Sequence, residues 1–72
     1  MDNPIIENWV INQIMLGEKM GGYYLQGNIY NHPNPRILQG EKASTSELKS
    51  IDFENNKAVT LNTTYILGLR DT

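Results

Sequence analysis

The alternation of apolar and polar positions along the chain predicts short strands separated by turns. The clearest run is Tyr23-Tyr24-Leu25-Gln26-Gly27-Asn28-Ile29-Tyr30. Tyr23, Leu25, Gly27 and Ile29 share one face, and Tyr24, Gln26, Asn28 and Tyr30 the other. A glycine inside such an alternation predicts a sharp bend or bulge, the device by which a small sheet curls. Upstream, Trp9 to Leu16 carries apolar residues at 9, 10, 11, 14, 15 and 16. That spacing fits a helical face tolerably, but the extended preference of Trp9-Val10-Ile11 weights it toward a strand ended by Gly17. Gly21-Gly22 reads as a turn, and residues 1–8, with Pro4 ahead of Ile5 and Ile6, as a loose arm.

The segment Asn31-His32-Pro33-Asn34-Pro35-Arg36 is irregular, because its two prolines remove backbone donors and force His32 and Asn34 into extended geometry. Gln39-Gly40 makes a further turn. Two short strands follow, about Glu41–Thr45 and Leu48–Phe53, kinked at Thr45-Ser46. A one-turn helix there, capped by Ser44 and Glu47, is the competing reading. Glu54-Asn55-Asn56-Lys57 is a hairpin turn. Ala58–Leu61 is a strand with Val59 and Leu61 on one side, and Asn62-Thr63 reverses the chain. Thr64–Leu67 then places Tyr65 and Leu67 on one face, and Gly68 ends it. The expected fold is all-β: a small single-domain barrel, SH3-like or OB-like, of five or six short antiparallel strands over residues 9–68, with 69–72 as a tail.

Composition narrows the function more than the fold. A chain of 72 residues buries a small core, and small domains usually compensate with disulfides, a metal or a second subunit. There is no cysteine and a single histidine, His32, so no metal or other cofactor is expected, and a closed barrel or a homo-oligomer is the remaining route. The net charge of −2 and pI near 5.1 lack the basic footprint of a nucleic-acid binder. The apolar runs are too short to span a bilayer as helices, and Met1-Asp2-Asn3-Pro4 does not open a secretory signal. The glycosylation-like Asn62-Thr63-Thr64 carries no weight without export. A cytoplasmic protein is expected.

Catalytic constellations are weak. Ser44, Ser46 or Ser50 with His32 and Asp52 supply the residue types of a nucleophilic triad, yet no Gly-x-Ser-x-Gly elbow accompanies them. Asp52 and Glu54 sit two apart beside a turn, where a solvated polar face accounts for them, and the glycines precede a strand rather than a phosphate-binding helix. No catalytic residue is assigned. The unusual segment is Tyr30 to Arg36, which gathers Tyr30, Asn31, His32 and Arg36 on a loop stiffened by two prolines. Stiffening lowers the entropy lost on binding, and Arg36 offers a fork for carboxylate or phosphate. Against that, prolines simply end strands and His32 can bond to backbone. A second group, Ser44-Thr45-Ser46 with Asn62-Thr63-Thr64-Tyr65, could line a polar pocket or merely serve turns. Trp9, Tyr23, Tyr24, Tyr30 and Tyr65, aromatics with polar handles, favour a protein interface.

Gly27-x-Ile29-Tyr30-x-His32-Pro33, then Gly40, then Thr45-Ser46-x-Leu48-x-x-Ile51-Asp52, then Val59-Thr60-x-Asn62-Thr63-x-Tyr65-x-Leu67-Gly68 resembles a family of short uncharacterised bacterial and bacteriophage proteins with the pattern GxVYxHPxFxxG, TSxIxxID and TxxTxYxLG. The resemblance covers roughly residues 25–68 and departs from the pattern at Asn34-Pro35-Arg36. It implies a small β-fold protein of phages or mobile elements and carries no activity. The expected role is therefore a non-enzymatic binding protein that blocks a host protein. Tyr30, Asn31, His32, Arg36, Thr45, Ser46 and Tyr65 are its candidate binding residues. Two other roles compete with it: an oligomeric protein sequestering a nucleotide-like small ligand, and an assembly subunit acting by self-association.

Overall fold

The computed structural model describes residues 3–17 and 19–71. They form one six-stranded sheet: β1 Ile5–Leu16, β2 Lys19–Tyr30, β3 Glu41–Ser44, β4 Leu48–Asp52, β5 Lys57–Thr60 and β6 Thr64–Leu67. The strand order is β3-β2-β1-β6-β5-β4. The all-β expectation holds, and the segment from Trp9 to Leu16 lies in a strand. Three features differ from the expectation. β1 and β2 have 12 residues each rather than a few. The β1–β6 pair is parallel, through Ile5↔Ile66 and Ile6↔Leu67. The sheet is also not closed into a barrel, since β3 and β4 both remain edges.

Residues 5–8, read as loose arm, begin β1, and Ile6 is fully buried. The chain can use Ile6 and Trp9 together only because of a bulge. Glu7 pairs with Asn28 and Val10 with Gln26, so two residues of β1, Asn8 and Trp9, oppose Gly27 alone. Three positions apart in a regular strand, Ile6 and Trp9 would point to opposite faces. Asn8 takes a left-handed φ of 52°, a conformation asparagine tolerates, and the extra residue turns Trp9 to the core side. The bend that Gly27 signals therefore sits on the opposite strand.

A second irregularity corrects the turn placed at Gly21-Gly22. Gln13 pairs with Tyr23 and Met15 with Met20, which leaves both glycines opposite Ile14 as a bulge inside β2. The reversal falls between the paired Leu16 and Lys19, with Gly17 at φ 64°.

The core is Ile6, Trp9, Leu25, Ile29, Ala58, Tyr65 and Leu67, flanked by Ile11, Ile37, Ala43, Leu48 and Ile51. On β5 the buried residues are Ala58 and Thr60, whereas Val59 is half-buried and Leu61 is 60% exposed. This reverses the face expected from Val59 and Leu61. The 60–63 turn explains it: the Thr60 hydroxyl donates to Thr63 O at 2.8 Å and accepts the Thr63 N–H at 3.1 Å, so a buried threonine is fully satisfied. Trp9 stacks on Phe53 with centroids 6.3 Å apart, donates Nε1–H to Gly68 O at 3.0 Å, and carries the Arg70 guanidinium 5.2 Å above its ring. The stretch read as a tail is thereby joined to β1: Arg70 bridges Trp9, and Asp71 N donates to Trp9 O.

β3 and β4 run in the same direction, as their antiparallel partners and the parallel β1–β6 pair require. Only residues 45–47 separate them, with no helical turn there. Thr45 bonds to β2 through Leu25, and Glu47 O accepts from Leu61 N beyond β5. The expected kink at Thr45-Ser46 is therefore the point where the chain passes from one edge of the sheet to the other.

Candidate functional site

The irregular connection from Asn31 to Gly40 is held by its own short side chains. Asn31 sits at φ 60°. Its N–H donates to Gln39 Oε1 at 2.7 Å, and Gln39 Nε2 donates back to Asn31 Oδ1 at 3.2 Å. Asn34 Oδ1 accepts the Arg36 N–H at 3.0 Å, the local turn that asparagine favours. Pro33 and Pro35 are exposed and fix this path by limiting φ.

His32 leaves the loop and faces the sheet. Its Nδ1 accepts the Asn34 N–H at 3.0 Å, so in the neutral ring the proton resides on Nε2, which meets the Tyr65 hydroxyl at 3.1 Å. The two rings are tilted at 43° with centroids 5.8 Å apart. Tyr65 is a core residue that also lines the recess. Burial pushes its phenol above the ordinary value of 10.0, opposed by hydrogen bonding with Thr63. Because the fold favours the neutral phenol, its contribution to stability is intact below pH 10.0 and is lost as pH climbs through the raised value. Ultraviolet titration should show a phenol ionising above the ordinary value, and that component should vanish in Tyr65→Phe.

His32 and Tyr65 line a recess of about 220 Å³ together with Thr45, Ser46, Asn62 and Thr63. The two hydroxyl and amide groups singled out in the sequence thus converge from opposite ends of the sheet. The lining contains no acidic side chain and no lysine or arginine, so it offers neutral hydrogen-bonding groups. Thr45 is already engaged: its Oγ1 accepts the N–H of fully buried Leu25 at 3.0 Å and donates to Ser46 O at 2.8 Å. Thr45→Ala strands that buried donor and should cost about 1–3 kcal/mol in denaturant titrations. Thr45→Ser should recover most of the loss.

Tyr30 and Asn31 face elsewhere. With Ile5, Glu7, Gln39 and Leu69 they line a broader, open cleft of about 520 Å³, which the sequence reading missed because it joins β1, the end of β2 and the segment after β6. Leu69 is 75% and Tyr30 39% exposed. The wall is fixed by Glu7, whose Oε2 accepts the Leu69 N–H at 2.7 Å. Its carboxylate occupies the space a Cβ on Gly68 would need. Arg36 is exposed and lines neither recess.

Of the triad residue types, His32, Ser44 and Ser46 line the smaller recess, and Asp52 is not among its lining residues. Asp52 lies in the β4–β5 turn, where its carboxylate accepts the Glu54 and Asn55 N–H groups and the Asn55 side chain. Those bonds, Asn55's side chain first, hold its carboxyl below the ordinary value. Among the described residues no group of three His, Asp or Glu side chains is placed to hold a metal, and no helix is long and apolar enough to cross a membrane. Comparison with family models, curated proteins and solved structures gives no match to this chain.

Proposed function

We propose that this chain is a non-enzymatic cytoplasmic binding protein that docks a protein partner in the cleft beside Tyr30. An apolar side chain of the partner enters between Ile5, Tyr30 and Leu69, and polar groups beside it meet the free amide hydrogens of Asn31 and Gln39. Exposed Leu38 extends the apolar surface nearby, within the same connection, and exposed Arg36 supplies a cation for an acidic rim on the partner. The observation that carries this reading is the commitment of His32. Both ring nitrogens are bonded within the fold, which gives the one histidine a part in holding the connection against β6, while the tyrosine two residues earlier lies open. The resemblance to small phage and mobile-element proteins suits an accessory factor that blocks a host component.

The smaller recess supports a second reading, capture of a small uncharged polar molecule by Ser46, Asn62, Thr63 and Tyr65. A nucleotide-like ligand is less well served, since Arg36 is not among the lining groups and a phosphate lacks its usual cationic partner there. For the architecture, we read β3 and β4 as one kinked strand that draws the open sheet toward a barrel.

Affinity capture with immobilised protein, followed by titration of the purified partner, tests the main reading. Tyr30→Ala and Leu69→Asp should each weaken the partner at least about tenfold, the size of effect expected at an apolar anchor, with unchanged melting temperatures. A partner that binds both variants as it binds the wild type places the contact elsewhere.

A further inference from the structure

We infer that the outer edge of β1, from Val10 to Ile14, is a self-pairing edge that joins two copies of this chain about a two-fold axis at Asn12. The direction of its backbone groups follows from the bonds β1 makes on that side. Ile66 N donates to Pro4 O, Gly68 N to Ile6 O and, after the bulge, Asp71 N to Trp9 O. Alternation then turns the backbone groups of Ile11 and Gln13 the same way, and among the described residues neither has a partner there.

The three edges of the sheet are not alike. β3 is four residues long and carries Glu41 and Lys42. β4 carries Lys49 and Asp52 and is broken by a bulge between Leu48 and Ser50. Short length, charge and bulges are the features that keep edge strands from pairing. The open stretch of β1, Val10-Ile11-Asn12-Gln13-Ile14-Met15, has no charge and no proline. It continues past the end of the core as one half of a two-stranded ribbon with β2, an element that is marginal alone. Met15 is 58% and Tyr23 51% exposed on that ribbon.

A second copy fits this edge in register. Antiparallel pairing about Asn12 sets Ile11 opposite Gln13 of the other copy and the reverse, and both residues present outward backbone groups. Val10 then faces Ile14, so every cross-strand pair is neutral. The contact is isologous and closes at two copies. It stops at Trp9, whose carbonyl is already bonded to Asp71.

The test exploits the self-opposition of Asn12, which is half-buried and bonds only to Gln26 among the described side chains. Sedimentation velocity should show a wild-type dimer. Asn12→Lys and Asn12→Asp each place like charges opposite one another and should weaken association about fivefold or more. An equal mixture of the two should restore the dimer. On the wild type, Ile11 and Gln13 amide exchange should slow as concentration rises, a readout that needs no variant. A wild-type monomer, an unweakened Asn12→Lys dimer, a mixture that does not reassociate, or exchange independent of concentration would each overturn the inference.

Discussion

Gly27→Ala should leave the chain unfolded. A Cβ at this buried position would lie 2.6 Å from the Glu7 carbonyl oxygen and 3.0 Å from Trp9 Cα. Both are backbone atoms of the neighbouring strand and cannot rotate away. The only relief is to part β1 from β2, which separates Ile6 from Leu25 and Ile29. A domain of this size holds roughly 4–11 kcal/mol in total, and a backbone clash at the centre of the sheet costs about 4 kcal/mol or more. Circular dichroism and a proton–nitrogen correlation spectrum check it: the variant should show a disordered spectrum with collapsed amide dispersion. A well-dispersed spectrum would show that β1 tolerates a side chain there and that the bulge is placed wrongly.

Trp9→Ala should come next in severity. It removes the largest side chain of the core, its stack on Phe53, the Nε1–H bond to Gly68 O and the platform under Arg70. Truncating a buried tryptophan costs about 3–5 kcal/mol, a large share of the stability available. Trp9→Phe keeps much of the burial and loses the bond to Gly68, so it should cost about 1–2 kcal/mol more than a neutral core exchange. Guanidinium titration followed by circular dichroism orders the three proteins. Because Leu69, next to the Gly68 carbonyl that Trp9 holds, lines the open cleft, the tryptophan variants should also weaken partner binding in any fraction that remains folded.

The legible parts of the fold were those governed by local rules. The alternation from Tyr23 to Tyr30 put Leu25, Gly27 and Ile29 on the buried face, and Tyr65 and Leu67 were paired correctly for the same reason. Turn chemistry at Asn55-Asn56 and the kink at Thr45-Ser46 were equally readable. What failed depended on partners distant in sequence. The start of β1 is ordered by β6 and the end of β2, which no local pattern reveals. Asn8 gives no signal of its bulge except that Ile6 and Trp9 cannot otherwise share a core. Gly21-Gly22 has the composition of a turn, but the reversal falls between the paired Leu16 and Lys19, and the glycine pair forms a bulge.

The candidate residues show the same division. His32, Thr45, Ser46 and Tyr65 do line one recess, although His32 and Tyr65 are 33 positions apart, because the connection after β2 folds back across β6. Tyr30 and Asn31 fall on another surface and Arg36 on neither. Alternation accounts for part of this, since Tyr30 belongs to the polar face of β2. The open cleft could not have been read from the sequence, because its walls come from both termini of the sheet.

His32 acts as a latch between the proline-bearing connection and Tyr65. Nitrogen-15 chemical shifts of the His32 imidazole, recorded at a pH where the ring is neutral, test this directly. The prediction is a single tautomer with a bare Nδ1 and a proton on Nε2 that shows contacts to the Tyr65 ring. A proton on Nδ1, or two tautomers in rapid exchange with no contact to Tyr65, would contradict it and return His32 to the list of groups able to do chemistry.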